Sequence, residues 1–175
     1  MDFFAVPRVT FGLLHYFFVI SHNRRRILHF NVTRHPNSAW VAQQLREAFP
    51  YDSAPKYLVF DRAKNFGGEV SNSITSMGIT PKRISFRSPW QNGVAERWVG
   101  NCRRDLLDHV IVLNERHLKR LMTEYLRYYH EDRTHLGLEK QTPLGRVLLQ
   151  GADPKCRVVA MPRVGGLHHS YDLAA

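Results

Sequence analysis

The stretch on which the fold turns is Arg87-Ser-Pro-Trp-Gln-Asn-Gly-Val-Ala-Glu-Arg97. Pro89 restricts the backbone and sets the entry to a helix expected from about residue 91 to 110. Within that helix Asn92 lies four residues before Glu96, so the two side chains share a face. Upstream, Lys56-Tyr-Leu-Val-Phe60 is a nearly continuous apolar run, as expected of a strand covered on both faces, and it delivers Asp61 at its end. The two acids are 96 − 61 = 35 positions apart.

Working outward, Asp2-Phe-Phe-Ala-Val6 reads as a first strand ended by Pro7. Phe17-Phe-Val-Ile20 and Arg26-Ile-Leu-His-Phe-Asn-Val32 flank the polar Ser21-His-Asn-Arg-Arg25, the pattern of a hairpin. A helix is expected after Pro36, capped by Ser38, with Trp40, Val41, Leu45, Ala48 and Phe49 on its apolar stripe. Gly67-Gly68 breaks the chain before a helix over about residues 69 to 77, closed by Gly78. Lys82-Arg-Ile-Ser-Phe86 is the next expected strand. A last long helix starts at Asn114 and carries Leu118, Leu121, Tyr125 and Tyr128 on one face. Three strands in meander followed by alternating helices and strands predict an α/β fold, a mixed sheet with helices on both faces.

In such a sheet, acids at the ends of central strands converge on one edge. Asp2, Asp61 and Glu96 come from a first strand, a later strand end and a helix. Three carboxylates from different elements are what a pair of divalent ions requires in order to activate a hydroxyl and offset charge on a phosphate. Taken singly, an Asp after a strand is usually a turn residue, and a Glu near a helix start usually favours the dipole. Asp105 and Asp108 lie further along the Glu96 helix, and neither Asp52 nor Glu69 ends an apolar strand.

These contexts resemble the retroviral-integrase-like core of bacterial insertion-sequence transposases, the DDE branch of the ribonuclease H-like superfamily. The resemblance lies in Val59-Phe-Asp-Arg62, in the stretch quoted first, and in Tyr128-Tyr-His-Glu-Asp-Arg-Thr-His-Leu-Gly137 with Thr142-Pro143 after it. It implies a ribonuclease H-like core over residues 1–146, with a tail over 147–175 in which Gly165-Gly166 suits a hairpin. It implies that Asp2, Asp61 and Glu96 are catalytic and hold Mg²⁺, with Mn²⁺ as a substitute. The expected reaction is DNA cleavage followed by strand transfer, carried out by a homo-oligomer on element ends and target. Gln91, Asn92 and Arg97 are then expected to contact DNA or support the site, and Arg103 and Arg104 to contact phosphates. A ribonuclease H-like nuclease and an inactive DNA-binding relic are the alternatives. Only Met1 precedes Asp2, so the first strand is expected to be truncated and this copy impaired.

Composition agrees with a polyanionic partner. Lys+Arg number 25 against 15 Asp+Glu, a formal charge of +10, with a pI near 10.1, and each phosphate contact releases counterions. Cys102 and Cys156 form no Cys-x-x-Cys pair, so neither a zinc module nor a disulfide framework is expected, in keeping with a reducing cytoplasm and a nucleoid-associated protein. The apolar stretch Phe11-Gly-Leu-Leu-His-Tyr-Phe-Phe-Val-Ile20 is too short to span a bilayer, and no membrane partner is expected.

Overall fold

The computed structural model describes residues 1–50, 53–146 and 157–174. The chain divides into two compact units, Met1–Glu115 and Arg116–Ala175.

The first unit is built on an antiparallel meander of β1 (Asp2–Pro7), β2 (Leu13–Ile20) and β3 (Ile27–Thr33). All six residues of β1 are paired, from Asp2 opposite Phe18 to Pro7 opposite Leu13. A parallel pair follows: β4 (Tyr57–Phe60) beside β5 (Thr80–Arg83). The expected mixed sheet is therefore present as two ladders. Met1 spans the seam by donating its amine to the Val59 carbonyl at 2.8 Å. The ladders separate beyond that point because β4 ends at Phe60 and the Phe3 amide is taken by the Asp2 carboxylate at 2.7 Å.

Side-chain alternation along β2 explains the layers. Phe17 and Val19 face a core shared with Val41 and Leu45 of α1 (Ser38–Ala48), Phe60 of β4, Phe66, and Val70 and Ile74 of α2 (Gly68–Ser76). Tyr16 and Phe18 point the other way, where Phe18 meets Trp98 of α3 (Gly93–Asp105) with ring centroids 6.2 Å apart. Helices thus cover both faces, and the uninterrupted apolar run of β2 is what a strand between two layers needs. At one edge His29 and Asn31 of β3 share the buried Gln44 carbonyl of α1, at 2.9 and 2.7 Å.

Several expectations shift. Asn37, not Ser38, caps α1: its side chain accepts from the Trp40 amide at 2.8 Å, and Ser38 is the first helical residue. β5 begins at Thr80 because Gly78, at φ 74°, returns the chain directly alongside β4. Phe86, expected inside that strand, is instead exposed. β4 buries Leu58 and Phe60 but leaves Tyr57 half exposed, so it is fully covered on one face only. The long helix of the quoted stretch is broken into a 3₁₀ turn (Pro89–Asn92), α3 and a second 3₁₀ turn (Leu107–His109).

In the second unit α4 (Glu115–Glu131) buries Leu118, Met122, Tyr125, Leu126 and Tyr129, a stripe rotated from the expected one, which ran through Leu121 and Tyr128. An antiparallel hairpin of β6 (Arg157–Arg163) and β7 (His168–Ala174) turns through Val164–Gly166, where Gly165 and Gly166 take φ of 64° and 92°. Arg163 is paired to Asp132 at 2.6 Å, and Tyr128 stacks on His168. Cys156 and Asp52 lie outside the described residues.

Candidate active site

Three elements of the first unit meet at one open cavity of about 390 Å³, and Asp2, Asp61 and Glu96 all line it. Each is placed by local sequence. Asp2 is the first residue of β1, and Asp61 follows the last residue of β4. The Met1–Val59 hydrogen bond fixes these two strand ends side by side, so both acids leave at the same edge. Glu96 stands in the first turn of α3, where the helix dipole favours its negative charge. Asn92, Glu96, Val99 and Arg103 recur at helical spacing and face β1. Asn92, Glu96 and Val99 line the cavity, and the Arg103 guanidinium reaches the Ala5 carbonyl at 3.5 Å.

Hydrogen bonding divides the acids. Asp2 accepts from the Phe3 amide through Oδ1 and from Asn92 Nδ2 through Oδ2 at 3.2 Å. Asp61 Oδ1 accepts from the Ala63 amide at 2.9 Å, so it shapes its own turn while still facing the cavity. Burial pushes the Asp2 carboxyl up to about 6; the Phe3 hydrogen bond and the Met1 amine oppose this, and the charges of Asp61 and Glu96 add to it. The Met1 amine is held down to about 6, chiefly by burial.

Among the described residues, no group of three or more His, Cys, Asp or Glu side chains stands close enough together to hold a metal ion. The donor set nevertheless suits a hard divalent cation. Carboxylates of like charge face one cavity, the most buried of them resists ionisation, and beside it Asn92 Oδ1 is buried without a hydrogen-bond partner. A cation among them would relieve the first two conditions.

The remaining expected residues are distributed as follows. Gln91 is turned back into its loop, accepting from the Ser85 amide at 2.7 Å and donating to the Ser85 hydroxyl at 3.3 Å. Asn92 is 1% exposed and faces Asp2, so it supports the site and is shielded from solvent. It occupies the cap position of α3, yet its side chain makes no capping hydrogen bond. Arg97, Arg103 and Arg104 are exposed on α3, and Arg104 also donates to Asn101 at 3.0 Å. Sequence reasoning assigned no role to two cations that line the cavity. Arg62 bonds the Ile84 carbonyl at 3.0 Å, and Arg87 lies over the Phe86 ring at 5.3 Å with φ of 54°. Both stood inside the quoted motifs; their charge beside an acid was the available signal. Phe86 and Trp90 are 74% and 73% exposed on the loop bordering the cavity.

Residues 77–143 match the family model of the integrase core domain. No curated protein matches the chain by sequence. Among solved structures, the catalytic core domain of BIV integrase aligns with a TM-score of 0.55 at 19% identity, over 82% of this chain and 89% of that one. The HTLV-2 integrase catalytic core domain in complex with magnesium, in a trimeric form, aligns at 0.57 and 14% identity, over 82% and 91%. A chain of the simian T-cell lymphotropic virus intasome, determined with PP2A regulatory subunit B56 gamma, aligns at 0.65 and 15% identity over 99% of this chain; the present chain spans 65% of that chain's length. Residues 77–143 thus match an integrase core domain in sequence, and the chain has the ribonuclease H-like fold of the retroviral integrase catalytic cores.

Proposed function

We propose that this chain is the catalytic domain of a transposase or integrase that cleaves DNA at element ends and joins the 3′-hydroxyl to target DNA. The observation that carries the reading is the meeting of Asp2, Asp61 and Glu96, from three separate elements, at one open cavity edged by Arg62 and Arg87. Asp2, Asp61 and Glu96 would hold Mg²⁺, or Mn²⁺ in its place. When bound, the metal supplies Lewis-acid stabilisation of the reacting phosphate and lowers the pKa of the attacking hydroxyl. Arg62 and Arg87 offer charge-assisted hydrogen bonds to phosphate oxygens at the cavity. Arg97, Arg103 and Arg104 extend a basic surface along α3 for the duplex backbone, while Gln91 holds the loop bearing Phe86 and Trp90 in shape.

Two DNA ends call for two active sites, so self-association belongs to the same reading, as does residence on DNA in a reducing cytoplasm. The test is incubation of the purified chain with end-labelled duplexes and Mg²⁺ or Mn²⁺, resolving nicked and joined products. Products that vanish with Asp61→Asn and with Glu96→Gln support the reading. Cleavage confined to RNA–DNA hybrids would assign a ribonuclease H-like nuclease. DNA binding without metal affinity or cleavage would assign a relic.

A further inference from the structure

We propose that Asn92 is a positioning residue for Asp2: its buried amide clamps the Asp2 carboxylate at the edge of the cavity. The inference rests on the carboxylate reading above and goes beyond it in naming Asp2 as the group that Asn92 positions.

Four observations carry it. Asn92 occupies the residue position before α3 where an Asn side chain ordinarily accepts from a helix amide, worth about 1 kcal/mol, yet it makes no such bond. The side chain instead donates Nδ2 to Asp2 Oδ2, linking residues 90 positions apart. At 1% exposure it is closed to a DNA backbone lying on the surface. Its Oδ1 is buried and unpartnered, a cost the chain accepts where capping would have avoided it. The amide therefore fixes Asp2 Oδ2. Partners of this kind, which orient a metal-binding side chain, commonly change metal affinity 10–100-fold on removal.

The experiment compares the wild type with Asn92→Ala and with Asn92→Leu, which keeps the branched shape and removes the donor without adding charge. Three quantities are read: Mn²⁺ affinity by calorimetry, duplex affinity by fluorescence anisotropy, and the Asp2 carboxyl titration by NMR in metal-free protein. Arg97→Ala is the control for an exposed contact. Asn92→Ala is expected to weaken Mn²⁺ binding about tenfold, to leave duplex affinity within twofold, and to move the Asp2 titration upward. Arg97→Ala is expected to do the reverse, weakening duplex affinity alone. Loss of duplex affinity with Mn²⁺ binding and the Asp2 titration unchanged in both Asn92 variants would overturn the proposal. Absence of Mn²⁺ binding in the wild type would count against the proposed function, and the metal-free Asp2 titration would still decide whether Asn92 clamps that acid. If Asn92→Ala fails to fold, Asn92→Leu carries the same three readings.

Discussion

Replacing Asp2 with Asn should make the metal-free protein more stable at neutral and alkaline pH. Folding moves the Asp2 carboxyl from 3.8 to about 6. At about 1.4 kcal/mol per pH decade this is a penalty of roughly 3 kcal/mol on the ionised form. Relaxation and solvent around a half-buried group bring the expected effect to about 1–2 kcal/mol. Because the folded pKa is raised, the folded state binds the extra proton between pH 4 and 6, and stability falls as pH rises through that window. The penalty is absent below about pH 3.8 and complete above about pH 6. Asn removes the charge and can still accept from the Phe3 amide, while its own amide can donate to the orphaned Asn92 oxygen. The Met1 amine, held down to about 6 by burial and partly raised by the Asp2 charge, acts oppositely between pH 6 and 8, so the comparison is read at pH 8, where that amine is neutral in the wild type. In chain-length terms 1–2 kcal/mol is about 3–6 °C in Tm. The assay is thermal denaturation of wild type and Asp2→Asn from pH 4 to 8, with and without Mg²⁺. The gap should close toward pH 4, and Mg²⁺ should raise the Tm of the wild type alone. An Asp2→Asn protein less stable than wild type at pH 8 without metal would refute the reasoning.

Three other outcomes follow from the packing and capping described. Asn37→Ala should cost about 1 kcal/mol, because it removes the oxygen that accepts from the Trp40 amide, whereas Ser38→Ala should change little; urea denaturation separates them. Phe66→Ala empties a fully buried site against Phe3 and Phe60 and should cost about 3–5 kcal/mol, read as a lower denaturation midpoint at unchanged slope. Asp132→Asn weakens the largely buried pair with Arg163 and should cost about 1–2 kcal/mol, with faster hydrogen exchange in β6 and β7 as the local sign.

Much of this was legible in the sequence because the signals were local. The aromatic and β-branched run Phe17-Phe-Val-Ile20 announced one strand of a hairpin, and the spacing of Asn92 and Glu96 announced a shared face. Asp61 at the end of an apolar run marked the edge where the acids gather. What escaped were choices made by tertiary contact. Asn37 and Ser38 are both good caps, and only the backbone path after Pro36 decides between them. β5 starts two residues earlier than its β-rich stretch because its register is set by pairing with β4, which periodicity within Lys82-Arg-Ile-Ser-Phe86 cannot reveal. Asn92 carried an ordinary capping signal, and its bond to Asp2 spans a separation no local pattern encodes. Arg62 and Arg87 were passed over because a cation inside a motif looks the same whether it faces solvent or a cavity.

The seam between β1 and β4 has a mechanical consequence. Strands locked by a full ladder hold their ends at fixed spacing, but here Met1 to Val59 is the hydrogen bond that bridges the two sheets at their junction. Asp2 and Asp61 stand on opposite banks of that seam. Their spacing is therefore set across a backbone hydrogen bond at the junction, with two like charges facing one cavity.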